Sequence, residues 1–235
     1  MSVFMKFPEP GAVKTRLARS LGEKAAAGLY RAMLEDQLEW VSRFPSRGRR
    51  VYFSPSDRGS DCQSLAPTRT ALRRLDFCPQ ASGDLGRRLD QAFQETLQVF
   101  PASIIIGSDA PLLGPSLLQE AFSSLQEREV VLGPACDGGY YLIGLRRPSP
   151  KLFVGVPWST SKVLDITVKK AKQGKLSIFF LCPLRDIDTI SDLEAVTEEL
   201  KALRGVPGSD PFPARTFGAI SELNCRGRLH PGRET

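Results

Sequence analysis

The chain carries a single histidine, His230, and it lies in a tail rich in proline, glycine and arginine. That scarcity argues against a Ser-His-Asp relay and a multi-histidine metal centre. Its five cysteines, at 62, 78, 136, 182 and 225, include no CxxC pair. They make neither a disulfide framework nor a zinc site, and free thiols fit a cytoplasmic protein. No apolar run is long enough to span a bilayer. The opening MSVFMKFPEP lacks the long apolar stretch of a secretory signal. We find no internal repeat and no basic stripe interleaved with exposed aromatics, so nucleic acid is not an expected partner. Any catalysis must run on carboxylates, lysines, arginines and a hard divalent cation.

What remains is ordinary for a globular chain: 235 residues, 41% hydrophobic and 25% charged. The net charge is +6, and residues 1–50 hold ten Lys/Arg against five Asp/Glu. Such a bias suits a polyphosphate ligand. Strands are expected over 2–7, 49–54, 72–77, 128–134, 140–145 and 176–181, with the β-branched run PASIII (101–106) as a buried central strand. Helical spacing marks 23–44, 84–100, 115–127, 160–172 and 191–203. This alternation implies a mostly parallel sheet covered on both faces, with VVLGP and YYLIGL as one antiparallel excursion. We expect a single domain over 1–204 and an irregular tail over 205–235.

Five segments that follow strands could carry chemistry. GSDAP (107–111) places Asp109 where the central strand empties into a loop, the edge at which open α/β sheets bind ligands. That carboxylate is a metal ligand on a nucleotide's phosphates, or else a cap on the helix near Pro115. In KFPEPGAVKTRL (6–17), prolines stiffen the exit of the first strand and Gly11 permits a turn. Lys6, Lys14 and Arg16 surround a helix start there, which makes an anion site or merely a stiffened turn. QASGDLGRRL (80–89) offers Gln80 or Asp84 to read a base, or Asp84 as an N-cap. Asp137-Gly138-Gly139 is a hairpin turn whose following tyrosines could face a sugar. In DIDTISDL (186–193), Asp188 is a second metal carboxylate or part of a helix cap. PWST (157–160) is read as a core aromatic followed by a capping pair.

Together, in this order, FMKFPEPGAVKTRL, GDLGRRL, GSDAPLL, GPACDGGYYLIGL, PWST and DIDTISDLE resemble the bacterial and archaeal nucleotide-diphospho-sugar transferases of the GT-A superfamily. The similarity covers roughly residues 2–204. More distantly the layout is similar to sugar-phosphate, molybdopterin and phospholactate nucleotidyltransferases. The resemblance implies a three-layer α/β/α, Rossmann-like fold. It would put Lys6, Gly11, Lys14 and Arg16 at the phosphates. Gln80, Gly83 and Asp84 would lie near the base, and Ser108 would belong to the same nucleotide site. Asp109 and Asp188 would hold Mg²⁺ or Mn²⁺. Asp137, Gly138, Gly139 and Tyr140 would face the sugar or acceptor, with Asp137, Lys14 and Arg16 assisting transfer. The expected function is metal-dependent transfer from a nucleotide-diphospho-sugar to a small-molecule acceptor. The alternatives are nucleotidyl transfer from an NTP to a phosphorylated acceptor, and nucleotide binding without turnover. Two departures matter: the first loop reads PEPG where nucleotidyltransferases carry GxG, and the metal loop reads SDAP where sugar transferases carry DxD.

Overall fold

The computed structural model describes residues 1–206 and 210–225; His230 and the rest of the tail lie outside the described residues. Seven strands form one sheet: β1 (Ser2–Lys6), β2 (Arg50–Ser54), β3 (Asp76–Pro79), β4 (Ser103–Ile106), β5 (Val130–Pro134), β6 (Tyr140–Leu145) and β7 (Ile178–Phe180). Their order is β3-β2-β1-β4-β6-β5-β7. All pairings are parallel except those of β6, which runs antiparallel to both β4 and β5. The expected antiparallel excursion is therefore present, and it sits inside the sheet.

The helices are α1 (Thr15–Leu21), α2 (Glu23–Arg43), α3 (Gly59–Gln63), α4 (Arg69–Arg73), α5 (Leu85–Leu97), α6 (Pro115–Ser124), α7 (Val163–Gln173), α8 (Ile190–Leu203) and α9 (Ala214–Cys225). Strand alternation sorts side chains between two cores. Val3 and Met5 of β1 join Tyr30, Leu34 and Leu38 of α2 and Leu118 of α6. Phe4 joins Tyr52, Ile105 and Ile143 beneath Leu89 and Phe93 of α5. All four residues of β4 are buried, as a β-branched strand covered on both faces requires. A third core gathers α1, α2, α8 and α9 around Leu17, Met33, Leu193 and Ile220. The three-layer arrangement is thus confirmed. Among the described residues, no helix is long and apolar enough to cross a membrane.

Two local expectations need correction. The third strand is Asp76–Pro79, paired with Arg50–Phe53, whereas Arg69–Arg73 form a short helix. Thr68 caps that helix by accepting from Ala71 N at 3.0 Å, a local bond that wins over strand propensity. The tail, read as irregular, contains α9. Its start is held by Asp36 of α2, whose carboxylate accepts from Thr216 N and Thr216 Oγ1 at 2.8 Å and from Arg215 N at 3.2 Å. Tertiary capping of this kind is invisible to local sequence patterns.

Asp36→Ala leaves the fully buried Thr216 without its acceptor. We expect a loss of about 2 kcal/mol in urea unfolding, together with faster proteolysis within 214–225. An unchanged midpoint and unchanged cleavage would show that α9 is held by its apolar face alone.

Candidate functional site

The strand order reverses between β1 and β4, and loops leaving that crevice define the site. Lys14 leaves the β1 loop as the residue preceding α1, in a left-handed conformation (φ 48°, ψ 42°). For a non-glycine residue this costs roughly 1–3 kcal/mol. The Lys14 side chain is only 4% exposed, and its Nζ pairs with Asp109 Oδ1 and, at 3.6 Å, with Asp188 Oδ1. It also lies 5.6 Å from the centre of the Tyr30 ring. A buried ammonium must be paired to be tolerated, and here two carboxylates do so.

Asp109 follows β4, and its backbone carbonyl accepts from Ile187 N at 3.0 Å. That bond brings in the segment after β7, where Asp186 and Asp188 lie. The same segment continues the sheet by a bridge between Ala135 and Leu184. The cap on α8 is made by Thr189 and Asp192, which form a reciprocal capping box. Asp188 is therefore spared that duty, and it also meets Arg16 Nη1 at 3.5 Å. Asp109 caps nothing either: the N-terminus of α6 is held by Asp210, which accepts from Ser116 N at 2.9 Å.

A cleft of about 300 Å³ opens here, lined by Arg16, Asp109, Asp137, Asp186, Asp188 and Trp158 among others. Asp137 forms the turn into β6, its Oδ1 accepting from Gly139 N at 2.7 Å. Gly138 has φ +89°, and a Cβ there would lie 2.2 Å from Ser161 O. Only glycine fits both demands. The Tyr140 ring meets Trp158 edge-on at 6.5 Å. Asp186 was not singled out from sequence. Burial first, then the charge of Asp137, pushes its carboxyl up to about 6, with Lys14 opposing. The nearest sequence signal was its place in DIDTISDL, but its burial and its pairing with Asp137 arise only on folding. Trp158, read as a core aromatic, proves to line the cleft as well.

Other expected residues lie elsewhere. Ser108 is 2.7 Å from Tyr30 Oη, buried on the opposite side of the GSDAP loop. Gln80 Nε2 donates to Met5 O and Tyr52 O, and its Oε1 accepts from Arg88 Nη1. Gly83 O accepts from Arg88 Nε, and Asp84 caps α5 through Arg87 N at 2.8 Å. These contacts brace the loop between β3 and α5. Lys6 is exposed, and neither it nor Gly11 lines the cleft. Seven-residue α1 has no side-chain cap, and Lys14, expected at its start beside phosphates, pairs here with two carboxylates.

Four carboxylates face two cations, Lys14 and Arg16, which leaves two uncompensated negative charges. Hard oxygen donors with that excess fit a divalent Mg²⁺ or Mn²⁺ ion. Among the described residues, no three His, Cys, Asp or Glu side chains are gathered to hold a metal unaided. Ligand oxygens would have to complete the shell.

The family model described as "Uncharacterized protein conserved in bacteria (DUF2064)" matches residues 38–160, just over half of the chain. The chain is similar to the crystal structure of a "putative nucleotide-diphospho-sugar transferase" from Desulfovibrio desulfuricans G20. The two share 29% identity over 97% of this chain and 95% of that one, with a TM-score of 0.83. The inositol-1-phosphate CTP transferase from T. maritima is similar in fold, at 14% identity over 87% of this chain and 97% of that one, with a TM-score of 0.54. So is Rv0371C from Mycobacterium tuberculosis H37Rv in complex with manganese, at 12% identity over 84% and 97%, with a TM-score of 0.50. No curated protein matches the chain.

The raised Asp186 has a consequence for stability. The folded state holds its proton more tightly than the unfolded chain does. The contribution of this carboxyl to stability is therefore fully present below about pH 3.8, is lost as pH rises from 3.8 towards 6, and is absent above that. Asp186→Asn cannot ionise. In EDTA it should gain about 1 kcal/mol over the parent at pH 8, allowing for screening of a half-exposed group, and little at pH 4. Thermal unfolding at both pH values tests this, and an equal shift at both would refute it.

Proposed function

The chain belongs to the DUF2064 family, and on that footing we propose that it is a metal-dependent transferase using a nucleotide-diphospho-sugar donor. The observation that carries this reading is the buried Lys14 ammonium shared by Asp109 and Asp188 in a four-aspartate cleft at the carboxyl edge of the sheet. The similarity along nearly the whole chain to the Desulfovibrio protein supports the same reading. Asp109 and Asp188 would hold a Mg²⁺ or Mn²⁺ ion. When bound, the ion supplies charge neutralisation on the leaving diphosphate.

The chain's own groups do the rest. Lys14 keeps the two carboxylates apart from one another's repulsion and offers its charge to the phosphates. Arg16, 64% exposed at the cleft wall, reaches outward to the same anion. Catalysis is then chiefly positioning and electrostatic stabilisation. Asp137 takes the proton from an acceptor hydroxyl: its Oδ1 is fixed by Gly139 N, and it lies on the cleft wall. Gly138, Gly139 and Tyr140 shape the acceptor side next to Trp158.

Asp109→Asn keeps the hydrogen-bonding shape but removes a charge. We expect it to fold, to lose the Mn²⁺-dependent thermal shift with UDP-, GDP- or ADP-sugars, and to lower turnover at least 100-fold, about 2.7 kcal/mol. An undiminished metal-dependent shift would defeat the metal assignment. The products decide the reaction. A nucleoside diphosphate released from a nucleotide-sugar supports the proposal. Pyrophosphate released from an NTP with a phosphorylated acceptor replaces it with nucleotidyl transfer. Binding without either product marks a non-catalytic nucleotide-binding protein.

Lys14→Met removes the compensating cation from between Asp109 and Asp188. We expect tighter Mn²⁺ binding without nucleotide, by about tenfold, but slower transfer with it. Unchanged or weaker Mn²⁺ binding, read by calorimetry, would show that Lys14 does not stand in the cation's place.

A further inference from the structure

Behind the GSDAP loop lies a second and larger cavity, of about 660 Å³. Ser108, Ala110 and Pro111 line it from the loop, whereas Gly107, Asp109 and Ala110 line the acidic cleft. The remaining walls come from α2, α6 and residues 211–216. Residues 211–215 are fastened at both ends. Asp210 accepts from Ser116 N and Oγ at the start of α6, and Asp36 accepts from Thr216 N and Oγ1 at the start of α9. Pro211 and Pro213 stiffen the span between them.

The chemistry of this cavity is specific. Trp40, Phe44, Phe122 and Phe212 contribute aromatic surface, with Phe44 and Phe122 stacked at 6.0 Å. The charged groups at its edge are already spent on one another. Arg215 pairs with Asp36 at 3.2 Å and Glu39 at 2.6 Å, and Arg43 pairs with Glu39 at 2.7 Å. Among the described residues, a charged ligand would find no free counter-charge there. Among the described residues, one buried polar side-chain atom of this lining is without a partner. Gln37 is 7% exposed and lines the cavity; its Nε2 donates to Gly107 O at 2.8 Å, while its Oε1 is buried without a hydrogen-bond partner. A buried carbonyl oxygen in that state calls for a donor.

We propose that this cavity is a second ligand site, taking a small, neutral, planar aromatic molecule that donates one N–H or O–H to Gln37 Oε1. Aromatic walls with a single placed polar group are the usual make-up of such a pocket. The bound molecule would rest on the opposite side of the loop that presents Asp109 to the acidic cleft.

The test uses indole, which has the donor, and 1-methylindole, which does not, titrated into the full chain and followed by amide chemical shifts. Saturable indole binding is expected, with shifts centred on Gln37 and Trp40, and 1-methylindole should bind about tenfold more weakly, as loss of one hydrogen bond requires. Gln37→Leu should equalise the two probes. Should that variant not fold, Phe122→Ala, altered on a partly buried wall, should weaken indole at least threefold. Equal affinity of the two probes for the parent protein overturns the proposal. So do shifts confined to the acidic cleft, absence of saturation, or an unaffected Phe122→Ala.

Discussion

One buried ammonium organises this molecule's working edge. Lys14 Nζ is shared by carboxylates that lie 95 and 174 residues further along the chain. A 4%-exposed charge would be prohibitively costly alone. The loop after β1, the loop after β4 and the segment after β7 must therefore converge for any one of them to be stable. The left-handed backbone at Lys14 is part of that convergence: a strained residue persists where its surroundings over-determine it. This cluster is weak evidence of stability for its own sake, since buried ion pairs roughly break even against apolar packing. Its value lies in holding two carboxylates at a fixed place at the sheet's switch point.

The topology then supplies the remaining groups. Because β6 is inserted antiparallel between β4 and β5, the β5–β6 turn empties onto the same edge as β4. That places Asp137 near Asp186, and their mutual repulsion is part of what raises the Asp186 pKa to about 6. The Thr189–Asp192 capping box relieves Asp188 of duty on α8, just as Asp210 relieves Asp109 of duty on α6. Each acidic residue that could have been a cap has a substitute, which leaves both free for the cleft.

Much of this was legible in sequence. The β-branched run before GSDAP read as a buried strand, and the alternation of elements gave the layers. Asp109, Asp188 and the DGG turn could be placed at the sheet's edge because each follows a strand. The rest depended on long-range contacts. Asp186 is set apart from Asp188 by its burial and by a neighbour 49 positions away, while Asp188 pairs with Lys14 and Arg16. Gln80 reads as a base-binding amide until its contacts with Met5 O, Tyr52 O and Arg88 are known. The α9 helix depends on Asp36, far upstream, and on a core shared with α1, α2 and α8. A strand was misplaced at 72–77 because one local bond, Thr68 to Ala71, outweighed the apolar pattern.

The GSDAP loop is fastened on one side and presents Asp109 from the other. Consecutive residues of the loop face opposite ways. Ser108 meets Tyr30 Oη, which in turn accepts from Lys6 N, and Gly107 O is held by Gln37. These bonds anchor one side of the loop to α2 and β1, so the other side can present Asp109 with little freedom to move. A carboxylate in place of Ser108 would be buried against Tyr30, where burial and the nearby Asp109 charge already raise the phenol's pKa. A second aspartate at that position would be an unpaired buried charge. The second carboxylate beside Lys14 comes instead from the segment after β7: Asp188, which pairs with Lys14 and Arg16.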